Sequence, residues 1–157
     1  MKRLFSFLLP AAFASSFVTA QTPAPAQIFG TNGCADNAFP GMTWAAYKSH
    51  ALQPDGKLLL AGWGLSGTFE TCMARIDTAC GELDPTFGQN GTLRHFFEAR
   101  TLCHSIALQA DGRIVGGGLN AASNAGSGQF PGVWRYNADG SVDNTFNGTG
   151  YNNIGFS

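Results

Sequence analysis

An all-β fold made of four-stranded antiparallel meander repeats is what this sequence predicts, and three observations predict it. The 157 residues include 21 glycines and are only 12% charged, which suits closely spaced turns better than helices. Two octads answer each other at an offset of 56: Ala51 to Leu58 reads ALQPDGKL and Ala107 to Ile114 reads ALQADGRI. Each octad sets an Asp-Gly pair between apolar runs, the signature of a tight hairpin.

The elements follow in chain order. Lys2 and Arg3 precede an apolar stretch, Leu4 to Phe17, broken by serines and Pro10, and Val18-Thr19-Ala20 supplies a small-residue cleavage site. The stretch falls short of the about 20 apolar residues a spanning helix needs, so residues 1–20 read as a signal peptide cut between Ala20 and Gln21. The expectation is a secreted or periplasmic protein with no membrane span after cleavage. Of the 157 residues 137 then remain, enough for one modest domain. Seven Lys and Arg face ten Asp and Glu, a net negative balance that argues against nucleic acid as a partner. Residues 21–33, with Pro23 and Pro25, read as an extended Pro/Ala-rich spacer.

The repeats occupy residues 34–157. Leu83 to Gly88 (LDPTFG) answers Val142 to Asn147 (VDNTFN) at an offset of 59, Ala35 to Phe39 is a weaker echo, and Met73 to Ile76 corresponds to Val133 to Tyr136. The anchors fix a period of roughly 56 to 60 and two units, about 34–90 and 91–149, with 150–157 reading as the first strand of another. Within a unit, Leu102 to Gln109 and Arg113 to Gly118 flank the Ala110-Asp111-Gly112 turn, and Gly132 to Asn137 is a third strand closed by Ala138 to Ser141. Thr92 to Glu98 is expected to precede the hairpin as its fourth partner. The turns rest on Asp55, Gly56, Asp111, Gly112, Asp139 and Gly140, where Asp caps its own backbone and Gly takes a positive φ. Four strands with short connections make one propeller-like blade.

On these residues the chain resembles the delta-60 repeat of exported bacterial proteins. The likeness rests on the A-L-Q-x-D-G-[KR] hairpins at 51–57 and 107–113, the strand arginines Arg75 and Arg135, and the G-x-[LV]-D-x-T-F segments at 81–87 and 140–146. The resemblance implies β-propeller-like architecture and export, and it brings no catalytic residues. Two repeats are fewer than the three or so that stacked units need to bury their faces. The expectation is an incomplete propeller, either a truncated array or one completed by association of several copies.

Four cysteines, at positions 34, 72, 80 and 103, enter an oxidising compartment on export, which favours disulfides. In the repeat frame Cys34 and Cys80 occupy corresponding turns, while Cys72 and Cys103 each begin a strand. The expected pairs are therefore Cys34 with Cys80 and Cys72 with Cys103.

Several motifs invite chemistry without supporting it. Gly62 to Gly67 fits G-x-G-x-x-G, but no helix follows to hold a pyrophosphate, so it reads as a loop. Asn137 to Asp143 has the look of a calcium loop without the ligand set. His50 and His104 adjoin serines on strands whose neighbouring residues face opposite ways, so neither forms a dyad. Asn90 and Asn147 match glycosylation sequons inside the repeat's own turns. No metal, cofactor or catalytic residue is expected. Trp44, Trp63 and Trp134 could stack on sugar rings, although aromatics more often fill the space between blades. The function expected is thus an exported, non-enzymatic structural or interaction module with a protein partner. The alternative is a glycan-binding, lectin-like protein that completes a propeller by homo-oligomerisation.

Overall fold

A computed structural model describes residues 39, 41–123 and 128–155, which form two four-stranded antiparallel sheets. The expected signal peptide, the spacer and Cys34 lie outside the described residues. The first blade comprises β1 (Trp44–Leu52), β2 (Lys57–Leu65), β3 (Phe69–Asp77) and β4 (Thr92–His95). The second comprises β5 (Arg100–Leu108), β6 (Ile114–Ala121), β7 (Gln129–Tyr136) and β8 (Tyr151–Asn153). In both, strand order follows chain order, as a meander requires, and no helix occurs among the described residues.

The repeated octads form the first hairpin of each blade. Gly56 and Gly112 both sit at φ 84°, donating to Gln53 O at 2.9 Å and Gln109 O at 3.0 Å, while Asp55 and Asp111 accept from the N–H two residues on. This is a three-residue hairpin loop with glycine at its left-handed position. The inner strand of each blade then bulges at the same place, between Tyr47 and Ser49 and between Cys103 and Ser105. The bulge presses the inner strand onto its neighbour. A Cβ on Gly62 would stand 1.9 Å from Ala46 O, and one on Gly118 1.9 Å from Leu102 O.

Three expectations are corrected. Residues 92–98 do not open the second unit; Thr92 to His95 pairs with β3 and closes the first sheet. Of residues 150–157, Tyr151 to Asn153 likewise do not begin another blade, because they pair with β7. In each case the outer edge of the third strand needs a partner, and the Phe-x-x-x-Gly loop returns the chain to it. Arg75 N donates to Gly91 O at 3.0 Å and Arg135 N to Gly150 O at 2.9 Å, starting the two outer ladders alike. Finally, most of the glycine motif at 62–67 is strand, not loop, since Gly62 to Leu65 lie in β2.

The blades pack face to face. The first blade's back, bearing Leu59, Ala61, Met73, Phe87 and Leu93, meets the second blade's front, bearing Cys103, Ile114, Trp134 and Tyr136. A smaller cluster on the first blade's front gathers Phe39, Cys72 and Ala74, with Met42 and Leu83 beside them.

Candidate functional site

The strand arginines and the D-x-T-F segments, which the sequence presents only as repeat signatures, form a clamp in each blade. Asp84 Oδ2 accepts from Arg75 Nε at 2.7 Å and pairs with Lys57 Nζ at 2.9 Å, while Oδ1 accepts from Thr86 N at 3.0 Å and Thr86 Oγ1 at 2.7 Å. Asp143 repeats this with Arg135 Nε at 2.7 Å, Arg113 Nε at 3.1 Å, Thr145 N at 3.0 Å and Thr145 Oγ1 at 2.6 Å. Each guanidinium lies over the motif's phenylalanine, 4.9 Å from the Phe87 centroid and 5.0 Å from that of Phe146. The octad's Lys or Arg, the strand Arg and the D-x-T-F loop are one unit, which is why they repeat together.

Burial alone would raise the Asp84 carboxyl, but hydrogen bonds from Lys57 and Thr86 and the charge on Arg75 outweigh it and hold Asp84 well below the usual range. Asp143 is held down first by the Thr145 hydroxyl, against burial, with the Thr145 N–H and Arg135 assisting. The first clamp also crosses the blade boundary. Arg75 Nη1 donates to Ala138 O at 2.8 Å, Gly88 N donates to Asp139 O at 2.7 Å, and Gly140 packs against the Phe87 ring. Asp139 itself caps Ser141, accepting its N–H at 2.9 Å and its hydroxyl at 2.7 Å, so its carboxylate serves the turn.

In the repeat frame Asn147 stands where Gly88 does, and their φ angles are 53° and 54°. The sequon asparagines Asn90 and Asn147 both occupy left-handed turn positions, and Asn147 Nδ2 donates to Tyr151 O at 3.0 Å. Asparagine tolerates this conformation better than most residues.

The three tryptophans separate. Trp134 is fully buried between the blades, which removes it as a ring for stacking on a ligand. Trp44 is 49% exposed and meets Trp63 edge-on at 4.8 Å; Trp63 meets Phe69 edge-on at 5.4 Å. Two cations join this cluster: Lys48 Nζ lies 5.8 Å from the Trp63 centroid, and Arg100 Cζ lies 4.4 Å from that of Phe69. Lys48, Phe69 and Arg100 are residues that sequence reasoning missed. Lys48 and Phe69 lie on the first blade and Arg100 on the second, and no motif links them.

The expected Cys72–Cys103 pair is corrected, since both are free thiols; Cys34, the expected partner of Cys80, lies outside the described residues. Cys72 faces the front cluster of the first blade, while Cys103 faces the core between the blades. Strand alternation separates them: Met73, next to Cys72, is the residue that reaches the Cys103 side. Burial pushes both thiols up to about 12, so they behave as small apolar side chains.

Two equivalent four-stranded sheets, each with its own Arg-Asp clamp and the first clamp bonded across to the second sheet, define a β-propeller-like repeat protein. The family model described as "Domain of unknown function (DUF5122) beta-propeller" matches residues 53–87 and 109–146, each running from the hairpin through the D-x-T-F loop. No curated protein and no solved structure matches the chain.

Proposed function

We infer that the chain is an exported, non-enzymatic module that works by contact, in keeping with its delta-60 resemblance and its leader-like first twenty residues. One observation carries the reading: the second blade's back repeats the first blade's back with nothing packed on it among the described residues. Leu59, Ala61, Met73 and Phe87 are fully buried, whereas their equivalents Val115, Gly117, Val133 and Phe146 are each partly exposed. An apolar face of this kind marks a docking surface for another blade. Sedimentation velocity on the chain from residue 21, alone and with Val133→Lys, tests it. Association that Val133→Lys abolishes at unchanged thermal stability supports the reading. A monomer over the micromolar to millimolar range would overturn it for a second copy.

A second reading, glycan binding by a chain that completes its ring through copies of itself, draws support from the half-exposed Trp44 beside Trp63. Quenching of tryptophan emission by a saccharide, lost in Trp44→Ala, would favour it.

A further inference from the structure

The cations of the described residues divide in two. Among the described residues Lys57, Arg75, Arg94, Arg113 and Arg135 are each ion-paired with a carboxylate. Lys48 and Arg100 have no such partner among the described residues, and each lies against the partly exposed aromatic cluster of Trp44, Trp63 and Phe69. On a chain of net negative charge, two cations without a carboxylate, on adjacent rings of one aromatic cluster, make it locally positive.

The same cluster holds unmet hydrogen-bonding capacity. Trp63 Nε1, Thr71 Oγ1 and Arg100 Nε are buried without a hydrogen-bond partner, and Trp63 and Thr71 are direct cross-strand partners. The indole N–H and the guanidinium Nε–H can only donate, so what the cluster lacks is acceptor oxygen. Buried polar groups in native proteins are nearly always satisfied, by protein, water or ligand, so these donors are open to any oxygen acceptor that reaches them.

We propose that Trp44, Trp63, Phe69, Lys48 and Arg100 form a binding site for an acidic saccharide, a sugar ring carrying a carboxylate such as a uronic acid. This rests on the glycan reading above and adds the ligand's charge. The half-exposed indole of Trp44 offers a ring for the apolar face of the sugar. Arg100 and Lys48 take the carboxylate, and the ring hydroxyls supply acceptors for the cluster's donors. A purely acidic peptide would use the two charges but leave the indole idle, so the saccharide is favoured.

The test is calorimetric titration of the chain from residue 21 with oligogalacturonate, with a neutral oligosaccharide of equal length, and with polyglutamate. Oligogalacturonate should bind about tenfold more tightly than either control, and more weakly as added salt screens the exposed charges. Trp44→Ala should lose about tenfold toward the uronate. Lys48→Gln, on an exposed strand position, should reduce the preference over the neutral sugar while the circular dichroism and melting temperature stay unchanged. Neutral sugar binding as well as the uronate would overturn the acidic site while leaving the glycan reading standing, and binding of neither would overturn both. Polyglutamate binding equally well, or uronate binding untouched in Trp44→Ala and Lys48→Gln alike, would reduce the site to unspecific charge and overturn the proposal.

Discussion

The backs of the two blades have nearly the same chemistry and different surroundings. Position for position the first offers Leu59, Ala61, Met73, Arg75 and Phe87, and the second Val115, Gly117, Val133, Arg135 and Phe146. The first is sealed by the next blade's Trp134, Tyr136 and turn, and the Arg75 side chain is 8% exposed against 19% for Arg135. Arg75 also donates across the boundary to Ala138 O, a bond without a counterpart at Arg135 among the described residues. Identical motifs therefore carry different weights, and what a residue contributes depends on whether a neighbour covers it.

The largest expected effects come where that contrast is sharpest. Asp84→Ala strands Arg75 in a buried site and should cost roughly 3 kcal/mol or more in urea unfolding, whereas Asp143→Ala, beside a guanidinium that water reaches, should cost less. Equal losses would mean that the boundary contact adds nothing to the clamp. Met73→Lys, driving an ammonium between the blades, should be comparably severe, and Val133→Lys should stay within about 1 kcal/mol of the parent.

Next in size is a place where the blades should agree. Gly62→Ala and Gly118→Ala each push a Cβ into an inner-strand carbonyl within one sheet, independent of what lies outside it. Both should lose about 2 kcal/mol, and a twofold disparity would show that the bulges are not equivalent.

The smallest effect is titration at the boundary. His95 packs against Phe97 and Tyr136 with its Nδ1 buried and unpartnered, and burial lowers its pKa below the ordinary value, opposed by the charge on Glu70. The unfolded chain therefore binds the proton first, so stability falls as pH drops below about 6.5 and continues to fall until the folded-state value is reached. His95→Phe should flatten that window in thermal melts. Asp84 and Asp143 act lower, their contribution complete above about pH 4 and lost below it.

Much of the architecture was legible in the sequence, because Asp-Gly hairpins and the spacing of the octads are local signals. The four-strand unit was legible too, but its boundary was not: Thr92 to His95 joins the strand before it through an edge pairing that periodicity does not encode. The glycine run at 62–65 read as loop because glycine is a breaker, yet here it makes room for the bulged inner strand. The Cys72–Cys103 pairing failed on strand alternation, which the chain direction alone does not reveal. The clamp left a trace, an Arg followed eight or nine residues later by Asp in each unit, while the cluster of Lys48, Phe69 and Arg100 is assembled across the boundary and left none.

The account's central claim is that one blade back is sealed and its twin is open, and thiol labelling tests it most directly. Met73→Cys and Val133→Cys chains, labelled at nanomolar protein concentration and resolved by peptide mass spectrometry, report each position against the native cysteines. The account predicts that Cys at 133 reacts at least about tenfold faster than Cys at 73, whose labelling waits on opening of the fold. Equal protection at both positions in the dilute chain would contradict it.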